Sequence, residues 1–163
     1  MIFVTVGTQL AFDRLVGAVD RWAAARPRGA VFAQIGPSAL HPRHIAHERF
    51  IPPAECRERM RAAEAIVAHA GMGTILTALE MGKPLLVMPR RAALGEHRND
   101  HQLATARRFA ELGSVGVAFH EDELRAKLDT LGRLTGSHRI GPHAPEPILA
   151  ALRGFIAGEP TAR

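Results

Sequence analysis

The sequence predicts an α/β protein built on a single doubly wound parallel sheet. Short apolar runs, each about the length of a buried strand, recur along the chain. Segments with apolar residues at helical spacing separate them, and glycine or proline closes most of the pieces. Strands alternating with helices in this way pair in parallel, and near-continuous apolar strands mark a sheet covered on both faces. At 163 residues, 47% apolar and 23% charged, the chain has the size of one ordinary domain with a core of its own.

The elements follow in order. Residues 2–6 form an apolar strand ended by Gly7, and Phe12, Leu15, Val16, Val19 and Ala23 then fall at helical spacing. Residues 31–35 form a second strand, closed by Gly36 and Pro37. The stretch 38–48 carries His41, His44 and His47 together with Pro42, and reads as an irregular, solvated polar loop, since no carboxylate or cysteine completes a metal set. Residues 49–51 read as a short extended piece stopped by Pro52 and Pro53, and 54–63 as a helix. A strand at 66–68 runs into His69-Ala70-Gly71-Met72-Gly73-Thr74 and a helix through Met81, which Gly82 ends as a C-cap. Leu85–Met88 is a strand, 90–99 a polar loop, and 100–112 a helix ended by Gly113. A last strand is expected at 115–119 and a core helix at 121–131, with acidic residues at its positive end. Residues 135–147 are rich in proline and glycine and read as a connector. Beyond it Ile148, Leu149, Leu152, Phe155 and Ile156 make one apolar helical stripe, which either packs on the chain's own sheet or docks a partner.

Composition narrows the function. Cys56 is the only cysteine, which excludes an internal disulfide framework and a cysteine-based zinc ribbon. No apolar run approaches the roughly 20 residues of a membrane span. The opening MIFVTVGTQ lacks the basic region and cleavage site of a signal peptide, so the cytoplasm is the expected location. A net charge of +5 points to an anionic partner. The arginines are dispersed, tyrosine is absent and Trp22 is the single tryptophan, which argues against nucleic acid.

Ligands of open α/β sheets bind outside the carboxyl ends of the strands. Three unusual loops fall there: Gly7-Thr8-Gln9, the HAGMGT stretch at 69–74, and the loop at 90–102. Gly71 and Gly73 allow close backbone approach, and the helix behind them aims free N–H groups at the same spot, which suits phosphate. HAGMGT is not a Walker A loop, because no Lys-Ser or Lys-Thr pair ends it. Leu76 stands where a dinucleotide fingerprint needs its third glycine, which argues against a nicotinamide-dependent oxidoreductase.

The stretches IVAHAGMGTILTALEMGKPLLVMPR and GEHRNDHQLATARRFAELG, with the opening MIFVTVGTQLAFDRLV, strongly resemble the C-terminal domain of glycosyltransferase family 28. The opening is similar to that of the family's small, free-standing members, donor-binding subunits of two-part glycosyltransferases. These include a bacterial exopolysaccharide subunit of glucuronosyltransferase type, whose wording is nearest to GEHRNDHQLATA, and a eukaryotic subunit that helps add GlcNAc to a dolichol-linked acceptor. The resemblance implies a Rossmann-like domain equivalent to the C-terminal half of a GT-B enzyme, with a donor domain at 1–134 followed by a connector and helix at 135–163.

The resemblance also implies a UDP-sugar site. Gly7 and Thr8 lie near the donor diphosphate, Phe50 and Ile51 flank uracil through their backbone, and His69, Gly71, Met72, Gly73 and Thr74 form the phosphate-facing turn. His101 and Gln102 contact sugar hydroxyls, with Asp100 either joining them or capping the helix. Thr77 stands where relatives hold the ribose with Glu or Asp; Glu80 is the other candidate. Thr74 and His69 are candidates for stabilising the leaving group, and no catalytic base is evident. Arg90 and Arg91 either neutralise an anionic ligand or face solvent, and Cys56 has no assigned role. The implied reaction is metal-independent transfer, with inversion, of glucuronic acid, glucose or GlcNAc from a UDP-sugar to a polyprenyl-diphosphate-linked glycan. No cofactor is implied. The implied partner is a membrane-anchored, acceptor-binding subunit that recruits the chain to the inner face of the membrane. A non-catalytic nucleotide-sugar-binding regulatory module is the alternative.

Overall fold

The computed structural model describes residues 1–26, 30–131 and 141. Six parallel strands form one sheet: β1 (Ile2–Thr5), β2 (Val31–Gln34), β3 (Ala46–Glu48), β4 (Ala65–His69), β5 (Leu85–Met88) and β6 (Gly116–Val117). Their spatial order is β3-β2-β1-β4-β5-β6. The helices are α1 (Asp13–Ala23), α2 (Pro53–Ala62), α3 (Met72–Glu80), α4 (His101–Leu112) and α5 (Glu121–Thr130), with a short 3-10 turn at Ala92–Leu94.

The period-2 alternation of each strand sorts the core into two halves. Val4, Val67, Leu86 and Met88 pack with Leu15, Val16 and Val19 of α1 and Leu124 and Leu128 of α5. Phe3, Ile66, Ala68, Leu85 and Val87 face the other way, onto Met60 of α2, Ile75 and Leu79 of α3 and Ala106 of α4. Both faces of the sheet are therefore covered. Burying one such aliphatic side chain contributes about 1.5–3 kcal/mol. Trp22 Nε1 donates to Asp129 Oδ1 at 2.8 Å, joining α1 to α5 across their seam.

Two expectations are corrected at the sheet's edges. The stretch expected to be an irregular loop contains β3, an edge strand whose Ala46, His47 and Glu48 pair with Phe32, Ala33 and Gln34. Its exposed, polar composition hides it from any reading of apolar runs. The strand expected at 115–119 is reduced to Gly116–Val117, which pair with Leu86 and Val87. Residues 49–51 are not a strand, although Gly36 N–H still donates to the Arg49 carbonyl at 2.8 Å. The connector and the C-terminal apolar stripe lie outside the described residues.

The chain leaves β1 toward β2 and β3, then returns to place β4 on the other side of β1. The loops after β1 and β4 diverge at that point, which opens a crevice at the carboxyl ends of the central strands.

Candidate functional site

That crevice is a cleft of about 600 Å³. The loop after β1 supplies Gly7, Thr8, Gln9 and Leu10, the end of β4 and start of α3 supply His69, Gly71, Gly73, Thr74 and Thr77, and the wall after β5 supplies Arg90, His97, His101 and Gln102. Ile51 and residues of α2, Cys56 among them, close the side. Among the described residues two arginines and three histidines line the cleft, and no aspartate or glutamate does. A cleft whose charged side chains, among the described residues, are cationic suits an anionic ligand.

The two glycines of the turn serve different purposes. An ideal Cβ on Gly73 meets nothing within 4 Å, so its surface is open to a ligand. A Cβ on Gly71 would stand 2.1 Å from His69 Nε2, and one on Gly7, where φ is +76°, 2.9 Å from His69 Cε1. Gly71 and Gly7 thus make room for the imidazole itself. His69 Nδ1 donates to the Thr5 carbonyl across a long 3.5 Å contact. Burial and the charge of Arg90 push the His69 pKa down to about 4, so at neutral pH the ring is uncharged and acts only through hydrogen bonds. Gly71 is the N-cap of α3 and no side chain caps the helix, which leaves the N–H groups of its first turn directed out of its end.

Arg90 is only 3% exposed, which rules out the solvent-facing one of its two readings. Its Nη2 donates to the carbonyls of Val6 (3.0 Å), Leu10 (2.6 Å) and Ala11 (3.4 Å), and its guanidinium lies 4.9 Å from the Phe12 ring centroid. Arg91 turns the other way, donating to the Phe119 carbonyl at 2.6 Å. The loop after β5 is held by Arg14, which makes a bidentate pair with Glu96 at 2.6 and 2.8 Å. Asp100 neither caps α4 nor lines the cleft; its Oδ1 accepts the Ala92 N–H at 2.8 Å and so folds the 3-10 turn.

Gln102 is buried and lines the cleft, and its Oε1 accepts the Arg90 backbone N–H at 3.2 Å. Its amide NH2 is then the main group it offers a ligand. His101 lies edge-on to His97 with centroids 4.5 Å apart. Thr77 lines the cleft, but its hydroxyl donates to the Gly73 carbonyl at 2.9 Å, leaving its oxygen as an acceptor. Glu80 is not among the lining residues. Phe50 and Met72 are half exposed and their side chains stand outside the lining, whereas Ile51 is in it.

Residue-by-residue reading misses two groups. Gln34, at the end of β2, donates to the Gly7 carbonyl and accepts the Ile51 N–H, both at 3.3 Å, tying two walls of the cleft together. Cys56 lies in the cleft wall. Neither carries a local motif; a polar residue ending an apolar strand is the one signal that marks Gln34.

The family profile of the glycosyltransferase family 28 C-terminal domain matches residues 1–134. The human UDP-N-acetylglucosamine transferase subunit ALG13 is 31% identical over 124 residues, 70% of this chain and 10% of that protein. The chain thus spans about a tenth of that relative's length. A solution structure of ALG13 superposes with a TM-score of 0.56 at 20% identity, covering 93% of each chain. The calicheamicin glycosyltransferase CalG4 superposes with a TM-score of 0.57 at 17% identity, covering 96% of this chain and 43% of that one. The fold is thus a Rossmann-like α/β domain of the kind found in GT-B glycosyltransferases. With the family match spanning the whole sheet and the glycine turn between β4 and α3, the chain belongs to the glycosyltransferase family 28 C-terminal domain family.

Proposed function

We propose that the chain is the donor-binding half of an inverting, metal-independent glycosyltransferase that uses a UDP-sugar. The observation that carries this reading is the cleft at the β1/β4 crevice, lined by arginine and histidine without a carboxylate, with the uncapped N-terminus of α3 at its edge. A leaving UDP carries its new charge on the diphosphate. Preorganised N–H groups and a helix end stabilise such charge without a metal. The UDP-sugar class is supported by the name of the ALG13 relative.

In this reading Gly73 and the first turn of α3 receive the diphosphate, Thr74 offers a hydroxyl to it, and Ile51 flanks the base. Gln102 and His101 meet the sugar. Inversion requires a base to take the acceptor proton. The cleft has no carboxylate to serve, and His69 is enclosed between two glycine loops. In this reading the base and the acceptor site belong to a second polypeptide, a membrane-anchored subunit presenting a polyprenyl-diphosphate-linked glycan at the inner face of the membrane, a division that the word subunit in the name of the ALG13 relative supports. Among the described residues no helix is long and apolar enough to cross a membrane.

The test is a transfer assay with the chain alone and with its co-encoded partner. Transfer only in the mixture is expected. Full activity of the chain alone would overturn the division of labour. Tight UDP-sugar binding without transfer in either case would favour a regulatory binding module.

A further inference from the structure

We propose that Arg90 is the counter-ion of the bound ligand: the fixed buried charge that makes the cleft prefer a diphosphate to its uncharged nucleoside. The inference rests on the nucleotide-sugar reading and assigns its charge recognition to a residue that follows β5, the strand paired with β4 beside the HAGMGT turn.

Three observations carry it. First, Arg90 is buried yet lines the cleft, and its Nε has no hydrogen-bond partner. Second, no carboxylate among the described residues is hydrogen-bonded or ion-paired to it. The acceptors of its Nη2 are backbone carbonyls, which satisfy a donor but carry no net charge. The carboxylate within its electrostatic reach is Glu96, and both oxygens of Glu96 are bonded elsewhere, to Arg14 and to the Arg91 N–H. Third, among the described residues nothing acidic lines the cleft to compensate from that side. A buried ion without a partner costs several kcal/mol. An anionic ligand entering the cleft supplies that partner, so the cost in the empty protein becomes selectivity for charge. The guanidinium also fixes the first loop through Val6, Leu10 and Ala11, and so couples the ligand's charge to the shape of the Gly7 wall.

A purely structural Arg90 would hold the loop and nothing more. Calorimetric titrations of uridine, UDP and inorganic pyrophosphate into the full chain separate the two roles. In Arg90→Met the ratio of uridine to UDP dissociation constants should shrink by roughly 10–100-fold, the worth of a charge-assisted contact. Pyrophosphate binding should weaken to the same degree. Equal losses for uridine and UDP, or none, would overturn the proposal.

If Arg90→Met does not fold, Arg90→Lys is read against pH. A buried ammonium loses its proton far more readily than a guanidinium. The preference for UDP should then decline between pH 7 and 9.5 in the lysine variant and hold in the native chain. A flat profile equal to the native one would overturn the proposal. The two readings also fail separately. If pyrophosphate binds through Arg90 but UDP binds no better than pyrophosphate, the charge site stands and the nucleotide reading falls. If UDP binds and Arg90 variants keep the ratio, the reverse holds. If the native chain binds neither, both fall.

Discussion

The His69 imidazole fills the space that a Cβ on Gly71 would occupy, 2.1 Å from where that atom would sit. The glycine two residues after the histidine is therefore a packing requirement of the ring, while Gly73 alone leaves backbone open to a ligand. This pairing separates substitutions that look alike in sequence.

Gly71→Ala forces the imidazole out of its slot, and overpacking of this kind costs about 1–3 kcal/mol. Urea denaturation should show that loss. Adding His69→Ala to Gly71→Ala should recover most of it, because the obstructing ring is gone. A Gly71→Ala chain as stable as the native one would mean the ring is not held where the structure puts it.

Gly73→Val should behave in the opposite way. Nothing stands within 4 Å of the new Cβ, so folding stability should change by less than about 1 kcal/mol. UDP affinity should collapse, since the branched side chain takes the ground the diphosphate approaches. Unchanged UDP affinity in a folded Gly73→Val chain would make the turn structural only.

The acid side of the stability profile should carry the signature of His69. Its pKa lies at about 4 in the folded chain, against 6.5 for a free histidine side chain. Between those values the unfolded chain binds a proton that the folded one refuses, so stability rises with pH across that window and falls as the pH drops through it. The contribution is on the order of 3 kcal/mol, and is fully present above about pH 6.5. Comparing the pH dependence of denaturation midpoints for the native chain and His69→Phe isolates it. Parallel profiles from pH 4 to 7 would show that the imidazole titrates as in water.

Gln102→Ala should weaken UDP-sugar binding far more than UDP binding if, as proposed, the amide NH2 meets the sugar and the nucleotide contacts lie elsewhere. The variant also strips the Arg90 N–H of its acceptor and should lose about 1–3 kcal/mol of stability. Affinities are therefore compared at a temperature where both proteins are folded. Equal losses for UDP and UDP-sugar would move Gln102 away from the sugar.

The part of the fold legible in the sequence is the part that local chemistry dictates. The β4–turn–α3 unit and β5 are written in continuous apolar runs and a glycine turn, and the family wording lies on the same residues. β3 is not legible, because Ala46, His47 and Glu48 are a strand only by pairing with β2, and its first and last residues are exposed. The fate of Arg90 and Arg91 is equally hidden. Adjacent arginines in one loop diverge, one onto carbonyls about 80 residues earlier in the chain and the other onto Phe119. Only tertiary contacts distinguish them. Asp100 misleads for the same reason, since a residue ahead of a helix looks like a cap until another N–H, that of Ala92, claims it.

The central claim is that an anionic nucleotide enters the cleft at the β1/β4 crevice and rests against the first turn of α3. Amide chemical-shift mapping during a UDP titration of the labelled chain tests it most directly. Saturable shifts are predicted at Gly7, Thr8, Gly71, Gly73 and Thr74, with the amides of α5 on the opposite side of the sheet unmoved. Saturable shifts confined to other surfaces, or none at millimolar UDP, would contradict it.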